Sequence, residues 1–522
     1  MVDGFDEISP HYKETVIDML QVLKQNSLEQ LWVTTRPYLR EELENNLHQL
    51  SYTLEPFSED EQVEFLKKFW LQNLRHLEIT DQQRLEIYAK SLIQKLAQSI
   101  SDKDKQFTGI PLQTRMLAEV FKDDFISFYL SAKSEPEQKE KLDLLTLYRQ
   151  FIESKFNIYF NEKSTAQAGN MVIESLRMNS LEQLQKEHEL LALEALFTKD
   201  QVTFVQSYHH STFSDEELAR IGIVQRKNEG KPQFIHRTFA EYFVAEFLIK
   251  HLTKETTPDK QVQQLLLNEV LIEMDCRVIR AFLDGLLETS QPSKEALKEY
   301  GENLHEQWNK RKIHRNVTVN TTALHETAKE GNACITAFLL DSLKSGESFS
   351  VVKKLLLTKD HYQQTAWHKA AEGGHVKVLA KLCNCARELQ LKSEELRNEL
   401  LLSKDRYEIT AWLKTAQSGR VDILVKLWDW AKELQLKPEE LRNKVLLSKD
   451  KYKETAWHKA AESGHFEVLV KLWDWAKELH LKPEELRNEA LLSKDKRKET
   501  AWHKAAESGH VELLVKLWDW AK

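Results

Sequence analysis

The string "TAWHKAAESGH" begins at Thr455 and again at Thr500, with "TAWHKAAEGGH" at Thr365 and "TAWLKTAQSGR" at Thr410. These four copies follow one another at 45 residues, and a weaker copy, "TALHETAKEGN", starts 43 residues before them at Thr322. A fixed period of this size restricts the second half of the chain to a stack of similar units, because one such unit cannot bury its apolar face alone. Five copies are enough for a stable stack.

Each unit reads as helix, tight turn, helix. Thr455 is a plausible N-cap for "AWHKAAES", Gly464 stops that helix, and "FEVLVKLWDWAKEL" follows with apolar residues at helical spacing. In the last copy Val511, Leu514, Leu517, Trp518 and Ala521 share a face, while Trp520 lies about half a turn away. Trp430 and Trp475 occupy the same register as Trp520. Two uses are open to these outward tryptophans: packing against an inserted helix, or lining a groove that binds a partner. The insert is readable in "LKPEELRN", where Pro438 or Pro483 opens a third short helix with glutamates in its first turn.

His325, His368, His458 and His503 recur at one position of the repeat, and the third copy has Leu413 instead. A metal site and a structural bond to turn backbone are the alternatives, and spacing by one repeat favours the structural one. Cys383 and Cys385 fall on different sides of a helix, which suits packing better than metal.

The first half opens "MVDGFDEISP", with Asp3 and Gly4 followed by Asp6 and Glu7. Residues 31–33 form a short apolar segment that ends in Thr-Thr-Arg-Pro. That places the Arg36 guanidinium at the carboxyl end of a strand, the edge at which open α/β sheets bind ligands. "LEPFSEDEQVEFLKKFW" pairs a turn with a helix capped by Ser58, and Glu61 completes a capping box. "FTGIPLQTRMLAEVF" sets a Gly-x-Pro turn before another helix. "LARIGIVQRKNEGKPQFIHRTFAEYFVAEFL" predicts two strands around a turn at 228–231, then a helix carrying Phe239, Phe243 and Phe247, which together suggest a winged-helix unit.

Composition narrows the class. With 30% charged residues and only 14 Gly and 10 Pro in 522 residues, the chain reads as soluble, helix-rich and poor in flexible linkers. A net charge of -8 spread along the length gives no electrostatic case for nucleic acid. Four cysteines without a pairing pattern, and a start without basic and apolar signal regions, point to a reducing, cytoplasmic setting. No apolar run approaches the roughly 18 residues of a membrane helix, so the sequons at Asn316 and Asn320 are read as chance. His188-Glu189, His305-Glu306 and His325-Glu326 lack the second histidine of a zinc protease, and no nucleophile elbow, dinucleotide fingerprint or zinc-finger spacing occurs.

The repeats resemble ankyrin repeats, whose signature T-P-L-H-x-A-A precedes Gly-His and an apolar helix. Ala replaces Pro and Trp usually replaces Leu here, and the third copy has Leu413 for His and Arg420 at the Gly-His position. The period of 45 also exceeds the usual length of about 33. The first half, roughly 1–250, resembles the later part of a NACHT domain, the switch of the STAND class of signalling ATPases. "VDGFDE" is similar to its Walker B segment, which implies Mg²⁺ at Asp3 and a water polarised by Asp6 with Glu7. Thr35-Arg36-Pro37 looks like sensor 1, Pro111 matches the residue that packs on adenine, and His236 matches the winged-helix histidine that contacts the ADP β-phosphate. Bland alternatives stand beside these: helix-start acids at Asp3 and Glu7, an ion pair at Arg36, and a buried, bonded ring at His236.

The expected fold is therefore mainly α: a truncated P-loop NTPase end, helical and winged-helix domains, then an enlarged ankyrin-like α-solenoid. The expected divisions are 1–50 for the end of the nucleotide core, 51–130 for a small helical domain, 131–250 for the winged helix, 251–320 for a helical connector and 321–522 for the repeats. No G-x-x-x-x-G-K-[ST] loop occurs, so the chain looks like the rear of a longer protein and ATPase activity is not expected of it as written. The resemblance implies ATP or ADP with Mg²⁺ as cofactors, homo-oligomers through the NACHT part, a protein partner on the repeats, no nucleic acid and no membrane. It also implies a role in innate defence or related signalling. A non-catalytic scaffold is the alternative.

Overall fold

The sequence period is also a period of structure. The computed structural model describes residues 13–25, 33, 40–49, 51–52, 57–74, 81–99, 111–131, 144–163, 171–205, 213–228, 231–255, 259–308, 312–314, 317–319, 322–346, 349–389, 391 and 393–521. The described fold is mainly helical, and its paired strands form two antiparallel hairpins. The chain divides into two compact units, Met1–Val244 and Ala245–Lys522.

In the first unit, helices Glu59–Asn73, Gln82–Ser99, Pro111–Val120 and Lys122–Leu130 pack around Trp70. Its ring stacks on Phe125 at 4.7 Å and its Nε1–H donates to the Ala118 carbonyl at 2.8 Å, so this large buried indole is satisfied at both its face and its edge. Ser58 and Glu61 form the expected capping box. Further along, strands Val224–Asn228 and Lys231–Phe234 pair with Asn228 opposite Lys231, and helix Arg237–Thr253 follows, as the sequence predicts. Of the short apolar segment at 31–33, only Val33 is described; it sits against the small cluster of Ile17, Leu20 and Leu43.

The second unit begins with helices that set the start of the repeat stack. Arg280, in helix Arg277–Thr289, is fully buried. Its Nη1 donates to the carbonyls of Val270 and Glu273, both at 2.7 Å, and its Nε and Nη2 clasp the Glu330 carboxylate at 2.7 and 2.5 Å. One turn on, Asp284 Oδ1 accepts the N–H groups of Cys334 and Ile335 at 2.7 and 2.8 Å, capping helix Ala333–Gly346. Two polar anchors thus tie the connector to the first repeat.

Each of the first four repeats then contributes a first helix, a second helix and a short one, and the fifth a first and a second helix. The first helices (Ala323–Glu330, Ala366–Gly373, Ala411–Ser418, Ala456–Glu462, Ala501–Glu507) stack on one another in sequence order. Close approach is possible because their inward positions are alanine: Ala366, Ala370, Ala456, Ala460, Ala501 and Ala505 are all buried. Gly464, at φ +76°, follows the first helix in the left-handed region, and a Cβ there would lie 2.5 Å from the His510 ring of the next repeat. The Gly-His pair is therefore a contact between repeats: His465 Nε2 bonds the Gln417 carbonyl at 3.0 Å and His510 the Glu462 carbonyl at 3.2 Å. Arg420 takes that place in the third repeat and packs over Gly374.

The third helix exists, and Pro438 opens it, yet it does not remain α-helical. Pro438–Glu440 runs into a π-helical turn, Leu441–Leu446, in which the Leu447 N–H reaches back five residues to Arg442 at 2.8 Å. Leu441, Val445 and Leu446 are buried by it.

The outward tryptophans have a different neighbour from the inserted helix expected. Trp430 lies 5.4 Å from Trp367, Trp475 5.5 Å from Trp412, and Trp520 6.4 Å from Trp457. In each case a second-helix ring packs on the first-helix ring of the preceding repeat. Trp475 also stacks on Trp428 at 4.9 Å, and Trp520 on Trp473 at 4.8 Å. The indole N–H groups of Trp367, Trp412, Trp428 and Trp457 are buried without a hydrogen-bond partner, so ring packing holds them. Trp457→Ala is expected to lower unfolding stability by about 3–5 kcal/mol, while Trp457→Phe should cost far less because it also removes an unsatisfied donor. Urea unfolding followed by circular dichroism measures the difference.

Candidate recognition surface on the repeat array

Between the short helix of one repeat and the first helix of the next, the chain makes an outward finger with the sequence Ser/Thr-Lys-Asp followed by a tip. The aspartate builds it. Asp450 Oδ1 accepts the N–H groups of Tyr452 and Glu454 at 2.8 and 2.9 Å, and Asp360, Asp405 and Asp495 make the same pair of bonds in their own fingers. Those bonds hold Gln363, Glu408, Lys453 and Lys498 at φ between +60° and +67°, a region that side chains other than glycine enter at a cost of roughly 1–2 kcal/mol.

The buried aspartates are balanced from the helix side. Lys369 stands 3.0 Å from Asp360 and Lys459 3.1 Å from Asp450. Burial works to raise the Asp360 carboxyl, but the Gln364 N–H and the Lys369 ammonium outweigh it and hold the group below the usual carboxylate range. Burial likewise works against the charge on Lys459, and the Glu454 and Asp450 carboxylates override it. Neighbouring fingers join through one backbone bond each: the N–H of Arg406, Lys451 and Lys496 donates to the carbonyl of Tyr362, Tyr407 and Tyr452 at 2.9, 2.8 and 2.9 Å. The result is a row of matching loops at a fixed pitch.

The repeat histidines hold the base of that row. His368 Nδ1 accepts the Thr365 N–H at 3.3 Å and faces its hydroxyl at 2.9 Å, while Nε2 lies 2.9 Å from the Ser403 carbonyl at the next finger. His325 does the same with Thr322 and Gln364, and His458 with Thr455 and Glu499. A carbonyl at Nε2 assigns the proton to that nitrogen, which makes each ring a neutral tautomer. Burial pushes His325 and His368 down to about 4. His503 keeps the Thr500 bonds but is exposed. These histidines are structural, and among the described residues no group of three or more His, Cys, Asp or Glu side chains could hold a metal ion. Cys385 is buried and its thiol is pushed up to about 11 by that burial, a protonated packing residue.

Of the residues assigned to nucleotide, Asp3, Asp6, Glu7 and Arg36 lie outside the described residues. Pro111 is the exposed first residue of helix Pro111–Val120, which packs on helix Leu144–Lys163. His236 is half-buried at the junction between the hairpin and helix Arg237–Thr253. Its Nδ1 accepts the Thr238 N–H at 3.2 Å and lies 2.8 Å from the Thr238 hydroxyl, which receives the Tyr148 O–H at 2.7 Å. Tyr148 belongs to the helix on which Pro111's helix packs, so one long helix supports both. Trp475 is buried between neighbouring rings, and Trp430 and Trp520 are half-buried; Trp520 packs on the preceding repeat and, with Trp473, also lines an open cleft of about 610 Å³ between the second helices of the last two repeats.

The finger aspartates were not singled out from sequence, although "KD" recurring once per repeat was a visible signal. Nor were Arg280 and Asp284, which carry no motif. No described helix is long and apolar enough to cross a membrane.

The histidines make stability depend on pH. A folded-state value near 4, below the ordinary 6.5, means the unfolded chain binds the proton first. Stability contributed by these rings is complete above about pH 6.5 and declines toward pH 4, by on the order of 3 kcal/mol per ring. Asp284 acts in the opposite sense, since burial raises it from 3.8 to about 6 and stability gains as pH falls through that window. Comparing wild type with His368→Leu isolates one ring, since the third repeat already buries Leu413 at this position. The variant should show a flatter urea midpoint between pH 6.5 and 4. No protein-family model matches this chain, and no curated protein matches it.

Proposed function

We propose that this chain carries elements of a NACHT-like nucleotide switch together with an ankyrin-like array that recognises a protein partner. The observation that carries the recognition half is the finger row: every finger is braced from inside by a buried aspartate, so its tip is presented in one conformation. Preorganised loops on a stacked scaffold lose little entropy on binding, which suits an extended protein-binding surface. The Thr-x-x-His caps, the left-handed glycine turns and the outward fingers agree with the ankyrin resemblance. The short helix that turns from α to π accounts for the added length.

For the switch half, support comes from the order of hairpin, His236 and helix, and from the shared helix behind Pro111 and His236. ADP or ATP with Mg²⁺ would be held through Asp3, Arg36 and His236, with Asp6 and Glu7 directed at water. These roles rest on the resemblance, as do a cytoplasmic location, oligomerisation through the NACHT part and a place in innate defence signalling.

Isothermal calorimetry of the full chain with ADP and Mg²⁺ tests the switch half. Saturable binding that weakens in Asp3→Ala and His236→Ala is the expected result. A chain that takes up no ADP leaves the array as a non-catalytic scaffold.

A further inference from the structure

The fingers are alike in backbone and unlike in charge. The second-repeat tip reads His-Tyr-Gln, the third Arg-Tyr-Glu, the fourth Lys-Tyr-Lys and the fifth Lys-Arg-Lys. Cations of the earlier fingers are already engaged. Lys359 Nζ donates to the Lys404 carbonyl at 3.3 Å, Arg406 to the His361 carbonyl at 2.8 Å, and Lys404 pairs with Glu408 at 3.0 Å. Lys449, Lys451 and Lys453 of the fourth finger are exposed, as are Lys494, Lys496, Arg497 and Lys498 of the fifth. None of these side chains makes an ion pair among the described residues. Two of the acids nearby are spent inward, Glu454 and Glu499 holding the buried Lys504 at 3.1 and 3.2 Å, while Glu462 stays exposed.

A cleft of about 270 Å³ opens between these two fingers, lined by Tyr452, Lys496 and Arg497 at the exposed rim together with Glu462, and by the buried Glu454, Lys459, Asp495 and Lys504, whose charges pair with one another. It is smaller than the usual small-molecule pocket of about 300–1,000 Å³, and is sized for a side chain of a longer ligand. Arg497 stands where the other fingers have tyrosine, and a guanidinium at a rim matches a carboxylate with two parallel bonds.

We propose that the fourth and fifth fingers bind an extended, Asp/Glu-rich segment of a partner protein, one carboxylate seated at the cleft beside Arg497 and others along the lysines of both tips. This rests on reading the array as a recognition surface and names the chemistry of its partner. A polypeptide fits better than nucleic acid. The chain as a whole carries -8, whereas a nucleic-acid surface needs a broad basic field. Tyr407 and Tyr452 already stack on each other at 6.4 Å, which takes one face of each ring from a nucleic-acid base.

The test uses the full chain with a labelled peptide of alternating Asp and Glu, a Ser/Gly peptide of equal length and a single-stranded RNA of equal charge, read by fluorescence anisotropy. The acidic peptide should bind more tightly than the RNA and the neutral peptide should not bind. Affinity should fall by about tenfold or more in Lys451→Glu/Lys496→Glu/Arg497→Glu and on raising salt from about 50 to 300 mM. Lys496→Gln/Arg497→Tyr, whose second change puts the fourth-repeat residue at the cleft and whose first removes a cation, should weaken binding without adding repulsion, and its unfolding midpoint should match wild type. Tighter binding of RNA, or equal affinity in wild type and both variants, overturns the proposal. An extract protein retained equally by wild type and the charge-reversed chain overturns it too, and leaves the recognition reading intact.

Discussion

The bond on which the array chiefly depends is the one between a neutral histidine and a carbonyl of the following repeat, made by His325, His368 and His458 and replaced in the third repeat by the buried Leu413. In Thr365 and His368 a single side chain completes its own helix cap with Nδ1 and fastens the neighbouring finger with Nε2. The cap alone would be local, and the carbonyl contact alone would leave the helix start unsatisfied. Joined in one ring, they make helix formation and stacking the same event. The Gly-His histidine acts in the reverse direction, from His375 back to the Lys329 carbonyl and from His510 back to that of Glu462, so the first two and the last two repeats are bonded from both sides. The third repeat, with Leu413 and Arg420 at these positions, has a histidine bond on one side of each of its junctions. Nearest-neighbour coupling of this kind is what lets a linear stack behave as one cooperative body.

Apolar and polar contacts divide the remaining work. The tryptophans bridge second helix to preceding first helix with ring pairs 5.4 to 6.4 Å apart, which supplies buried area without directional demands. The fingers are determined by charge and hydrogen bonding instead. A buried aspartate is costly unless every lone pair is met, and Asp450 is met by two N–H groups and the Lys459 ammonium. Such a site adds little net stability but admits one backbone conformation, and that is the property a recognition loop needs. The same economy appears where the stack begins, at Arg280 with Glu330 and at Asp284 on the second helix of the first repeat.

Much of the local structure was legible in the residues. The 45-residue period, Thr455 as a cap, Gly464 as a helix stop, Pro438 opening a short helix and the hairpin around 228–231 are all local patterns, and local patterns are read from spacing and turn chemistry alone. The partner of an outward ring is not local. Trp475 and Trp412 are 63 positions apart, and no periodicity within one repeat says whether such a ring meets an inserted helix, an open groove or its counterpart in the preceding unit.

The sequence by itself determined that the second half is a stack of like helical units and that charge rises along its fingers, because both follow from residues repeated at a constant interval. Only the tertiary structure decided which charges remain outward. Stacking buries Glu454 and Lys459 against Asp450 and Lys504 while leaving Lys451, Lys496 and Arg497 exposed. Burial is a property of neighbouring repeats together, and a charge is neutralised or presented according to what the next unit brings beside it.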